Sequence, residues 1–153
     1  MEELKNTAQK LVAPKKGILA ADESTGTITK RFSKIGLESN PQLNGRYREM
    51  LLTTMGIDEF ISGVILFDET VRQTLADGST FPEYIVGRGM IPGIKVDEGK
   101  DPAPNSPEEK ITKGLESLPE RLEEYKKMGL KFTKWRAAIT IGDRLPTKAV
   151  VDE

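Results

Sequence analysis

Four short apolar runs, separated by helical patterns, constrain the fold of this chain more than any other feature. They are residues 18–21 (ILAA), 63–67 (GVILF), 91–97 (IPGIKVD) and 131–141 (KFTKWRAAITI). Continuous rather than alternating hydrophobicity is the habit of strands covered on both faces, as in parallel sheets. The segments between them read as helices. Leu4, Ala8 and Leu11 share one face before Pro14, and Ile28, Phe32 and Ile35 recur at i, i+4 and i+7 ahead of Gly36, a C-terminal cap. Asn40-Pro41 pairs an N-cap with a first-turn proline and starts a helix expected to pack through Leu43, Tyr47, Met50 and Leu51. Shorter helical stretches are expected at 69–73 and 82–87, and residues 101–107 (DPAPNSP) read as a polar loop. Ser117 and Glu120 match a capping box, opening a helix that packs Leu118, Leu122 and Tyr125 inward and stops at Gly129. Strand alternating with helix predicts an α/β fold of right-handed βαβ units on a parallel sheet.

Composition narrows the chemistry. The 153 residues suffice for one domain with a core, and a formal net charge of −1 carries no basic excess to suggest nucleic acid. With no Cys and no His, disulfides, thiolate nucleophiles, Ser-His-Asp chemistry and nearly all zinc catalysis are excluded. Acid–base work falls to Lys, Asp, Glu or Tyr. No signal peptide and no membrane-spanning run is evident, so the expectation is a cytoplasmic protein with no membrane partner.

The candidate chemistry centres on residues 17–31, GILAADESTGTITKR. A strand ends in Asp22-Glu23, and a hydroxyl cluster of Ser24, Thr25 and Thr27 leads into a helix. Unpaired N–H groups and the positive pole of the dipole favour an anion there. Asp22, set beside such a site, calls for a cationic partner or for chemistry to do. Alternation puts Gly93, Lys95 and Asp97 on one face of the third strand and Phe132, Lys134 and Arg136 on one face of the fourth. If these faces share an interior, one carboxylate, two ammonium groups and a guanidinium meet, a positive excess suited to a phosphorylated substrate. Taken singly, each feature also fits a solvated strand end or a simple helix cap; the convergence at the C-terminal ends of several strands carries the reading.

GILAADESTGTITKR, SGVILFDET, PGIKVDEG and KFTKWR, with GLESLPERLEEYKKMG before the last, stand in the order and spacing of class I fructose-bisphosphate aldolases, and the chain resembles that family throughout. The resemblance implies a (β/α)8 TIM barrel that reversibly cleaves fructose 1,6-bisphosphate into dihydroxyacetone phosphate and glyceraldehyde 3-phosphate, using no metal and no cofactor. It implies roles for Asp22 in proton transfer, Ser24 and Thr27 at a phosphate, and Arg31 and Lys95 in substrate binding. Lys134 is implied as the second active-site lysine and Arg136 as a lining residue. Thr27 stands where many members carry Ser.

Family members are more than twice this length, and a closed barrel typically takes ~250 residues. The expectation is therefore the N-terminal half of one barrel over 1–153, about four βα units. The Schiff-base lysine and the glutamate acid–base would lie outside it, so the chain alone would be inactive. The alternative is a non-catalytic, sugar-phosphate-binding half-barrel that self-associates. The family implies a homotetramer.

Overall fold

The computed structural model describes residues 1–152. In chain order the elements are α1 (Glu2–Leu11), β1 (Gly17–Ala20), α2 (Thr25–Ser33), α3 (Pro41–Leu52), α4 (Ile57–Phe60), β2 (Ile61–Leu66), α5 (Asp68–Val71) and α6 (Phe81–Gly87). There follow β3 (Ile91–Lys95), β4 (Lys100–Ala103), β5 (Ser106–Thr112), α7 (Leu118–Lys127), β6 (Phe132–Lys134) and α8 (Lys148–Asp152). β1, β2, β3 and β6 form one sheet in that order, every pairing parallel, while β4 and β5 form a separate antiparallel hairpin.

The register decides which side chains meet. Ala20 pairs with Ile65, Ile65 with Gly93, and Gly93 with Phe132, so these four share a face, and Lys95 and Lys134 pair on the same side. The opposite face carries Ala21, Val64, Leu66, Ile94 and Val96, which pack with Leu52 of α3, Phe81 and Ile85 of α6 and Tyr125 of α7 into the main core. The first face is far less covered, and Ile18 at its edge is 44% exposed. Its filling comes from Phe132, whose ring lies so close to Gly93 that a Cβ there would stand 2.4 Å from it. Leu11 of α1 closes on Gly63 in the same way. This is the layout of part of a (β/α) barrel: helices pack outside, and a partly filled inner face opens at the strand ends.

Several local expectations are met. Asn40 caps α3 by accepting from the Leu43 amide at 2.8 Å. Gly36 adopts φ +72°, and the Leu37 amide returns to the Phe32 carbonyl at 3.0 Å. Others are corrected. Residues 101–107 belong to the β4–β5 hairpin, whose Asn105 turn reaches φ +60°. The fourth strand ends at Lys134, because Lys134 is the last residue that pairs with β3. Ser117 makes no cap; its hydroxyl accepts from Arg121 instead, and the reciprocal capping box belongs to Thr80 and Glu83. On α3 the buried face is Asn44, Arg48 and Leu52, whereas Met50 is 65% exposed. β1 is an exposed edge rather than a buried strand. No described helix is long and apolar enough to cross a membrane.

Candidate active site

A cavity of about 800 Å³ opens where β1, β2, β3 and β6 end. Asp22, Ser24, Thr27, Lys95, Lys134 and Arg136 all line it, so six of the seven residues singled out in the sequence come together. Asp22 follows Ala21, whose amide makes the last sheet bond of that strand, to the Ile65 carbonyl at 3.0 Å. Lys134 reaches across from β6, and its Nζ donates to Asp22 Oδ2 at 2.6 Å over a separation of 112 residues. This is the cationic partner that an acid at the tip of the first strand requires. Lys95 Nζ donates to Asp97 Oδ1 at 2.7 Å and to the Asp97 carbonyl at 2.6 Å. The second oxygen of Asp97 is buried and takes no hydrogen bond among the described residues. Arg136 forms no ion pair among the described residues.

The hydroxyl cluster behaves differently from a conventional cap. Ser24 is the N-cap of α2 without a side-chain bond to its amides; its Oγ lies 3.2 Å from Thr27 Oγ1. The Thr25 and Gly26 amides have no backbone acceptor, and of this turn the Ser24 and Thr27 side chains stand in the cavity lining. Arg31 does not reach the cavity. Its guanidinium pairs with the Glu23 carboxylate and donates to the Tyr47 hydroxyl of α3 at 3.2 Å.

Electrostatically the site departs from the positive excess expected. Asp68, Asp97, Glu98 and Glu124 join Asp22 and Glu23 in the lining, against Arg72, Arg121, Lys95, Lys134 and Arg136. Most of these charges are paired. Arg72 binds both Asp68, at 2.9 Å, and Glu124, at 2.7 Å. Burial pushes the Asp68 carboxyl up, but hydrogen bonds from Arg72 and from the Tyr125 hydroxyl (3.0 Å) outweigh it and hold the group below the usual range. Burial and the same bond to Asp68 raise the Tyr125 phenol. Arg121 donates to the carbonyls of Val96 (2.9 Å) and Gly114 (2.6 Å), tying α7 to the end of β3. Sequence reasoning gave no role to Asp68, Arg72, Arg121 or Arg48. Only the spacing Asn44–Arg48–Leu52, i, i+4 and i+8 on one helix, carried a signal for the last.

The fold and its rim of ionisable groups define an α/β-barrel architecture, and comparison with known proteins agrees. An aldolase of Plasmodium falciparum, solved with TRAP and a small-molecule inhibitor, superposes with a TM-score of 0.93 at 47% identity, over 98% of this chain and 44% of that one. A family model described as fructose-bisphosphate aldolase class-I matches residues 3–153, and the chain belongs to that family. A probable class 1 fructose-bisphosphate aldolase of Xylella fastidiosa is 52% identical over 99% of this chain and 46% of its own length. The cytosolic fructose-bisphosphate aldolase 5 of Arabidopsis thaliana is 46% identical over 99% of this chain and 42% of its own. The chain thus spans slightly less than half the length of the relatives it matches.

Proposed function

We propose that residues 1–153 supply half of the barrel of a cytoplasmic class I fructose-bisphosphate aldolase. In this reading the cavity holds the phosphorylated sugar during its reversible cleavage to dihydroxyacetone phosphate and glyceraldehyde 3-phosphate. The observation that carries the reading is the Asp22–Lys134 pair, formed by side chains 112 residues apart on the inner side of the sheet. Asp22 takes or returns a proton at a substrate hydroxyl. Lys134 keeps that carboxylate oriented and places a positive charge beside the reacting carbon. The open amides of Thr25 and Gly26, with the Ser24 and Thr27 hydroxyls, receive one phosphate. Arg136, unpaired among the described residues, and Lys95, released from Asp97, complete the anion binding. Arg31 acts from outside the cavity, through Glu23.

Neither Lys95 nor Lys134 serves as the covalent nucleophile. In the free chain each Nζ is taken up in an ion pair with a carboxylate, Lys95 with Asp97 and Lys134 with Asp22. The chain therefore binds sugar phosphate without forming a Schiff base. To test this, the chain is titrated with fructose 1,6-bisphosphate by calorimetry, then incubated with dihydroxyacetone phosphate and borohydride and weighed. Binding that weakens about tenfold or more in K134M, the loss of a charge-assisted bond, with no mass adduct, supports the reading. A stoichiometric adduct on Lys95 or Lys134, or no difference between wild type and K134M, contradicts it.

A further inference from the structure

We propose that Arg48 is the positioning residue of the Asp22 carboxylate, holding the turn that carries it. Arg48 is 1% exposed although it lies on a surface helix. Burying a guanidinium is strongly unfavourable unless its donors are satisfied. Here the donors converge on one short stretch. Nη1 pairs with the Glu23 carboxylate, and Nη2 donates to the Glu23 carbonyl at 2.6 Å. Nε donates to Thr70 Oγ1 at 3.2 Å, and the guanidinium carbon stands 5.6 Å from the centre of the Tyr47 ring.

What this grip does follows from what the turn lacks. The sheet lets go after the Ala21 amide, and α2 begins its bonding at the Ser24 carbonyl. In between, no backbone group of Asp22 or Glu23 pairs with another backbone group. Arg48 supplies the missing main-chain bond one residue after Asp22, and the fork to the Glu23 side chain fixes the direction of the turn. Through Thr70 it also joins this turn to α5, whose Asp68 forms the neighbouring wall. Without Arg48 the Asp22 carboxylate has only Lys134 to define its place, and a partly exposed ion pair cannot hold a free turn.

A role in stability alone and a role in positioning predict different behaviour from the double variant E23Q/R48M. It removes both buried charges and refills the space with an apolar chain, so a purely structural contribution is restored. The main-chain bond is not. The readout is acetylation of Lys134 by acetic anhydride, quantified by mass spectrometry against exposed Lys131 in the same molecule, with D22N as the positive control. The expected result is a melting temperature near wild type with Lys134 labelling raised about two- to fivefold, the factor a partly exposed ion pair is worth. Wild-type labelling in the folded double variant overturns the proposal. If that variant does not fold, R48K decides. A single ammonium cannot serve the carboxylate and the carbonyl together, so raised Lys134 labelling supports the proposal and unchanged labelling overturns it. The affinity arm, fructose 1,6-bisphosphate by calorimetry, rests on the proposed function, whereas the labelling arm does not. Raised labelling in a chain whose wild type ignores the sugar leaves the positioning role standing and removes the aldolase reading.

Discussion

At the scale of single residues, the site is a set of charges whose partners come from distant parts of the chain. Glu23 shows how such a set responds to acid. Burial alone would raise its carboxyl, but its backbone N–H, Arg48 and Arg31 together hold it below the ordinary glutamate value. As pH falls through about 4.3, the ordinary value, the unfolded chain takes up this proton while the folded chain resists. The stabilisation is therefore complete above that pH and drains away below it. E23Q should be less stable than wild type at pH 6, leaving Arg48 buried beside a neutral partner, and the gap should narrow as pH falls from 5 toward 3. Urea midpoints across that range check this; a constant gap would mean that Glu23 is not held ionised by its partners. That Asp22, Lys95 and Lys134 share one side of the sheet was legible in the sequence because alternation along a strand fixes a face, whereas which lysine pairs with Asp22 was not. Nor was Arg48. A buried arginine looks like a surface residue unless its carboxylate is known, and that carboxylate lies 25 positions away.

At the scale of elements, the four strands and the major helices were readable because hydrophobic runs and cap residues act locally. The errors fell where two elements compete for one signal. Ser117 and Glu120 have the spacing of a capping box, yet Arg121, drawn to the carbonyls of Val96 and Gly114, takes the Ser117 hydroxyl as an acceptor. At α6 nothing competes. Thr80 Oγ1 accepts from the Glu83 amide at 3.3 Å, and Glu83 Oε2 accepts from the Thr80 amide at 2.9 Å. T80A should therefore lose about 1 kcal/mol, the usual worth of a cap, whereas S117A should change stability by less than about 0.5 kcal/mol, as surface substitutions do. Denaturant midpoints of the two variants measure the contrast; equal losses would show that Ser117 caps α7 in solution. The hairpin at 100–112 escaped because its proline and turn residues describe a loop equally well, and only pairing of Asp101 with Ile111 and Lys100 with Thr112 distinguishes the two.

At the scale of the whole molecule, the sheet has two free margins. β1 pairs only with β2, and β6 only with β3, so the far side of each offers unpaired backbone groups among the described residues. Closing eight strands into a barrel removes such edges, whereas four strands keep both. Apolar groups cluster beside the first margin: Ile18 within β1 is 44% exposed, and Met55 at 96% and Phe60 at 66% exposure lie next to it. An apolar pocket between α4 and β1, lined by Leu19, Leu51, Ile57 and Ile61, extends the first patch. Parallel edges of this kind recruit other strands, and a β1 margin on one copy matches a β6 margin on another in direction. The 153-residue chain should therefore self-associate in the micromolar range and bind a hydrophobic dye. Sedimentation velocity over a hundredfold dilution should show the mass falling with concentration. M55E and F60E, on the exposed part of the first patch, should shift that balance toward monomer, because a carboxylate cannot be buried there unpaired. A monomer at every concentration, with a sharp reversible transition and no dye bound, would show that four strands satisfy their own edges, and that the inner face owes its order to Phe132, Gly93 and the charges at its rim.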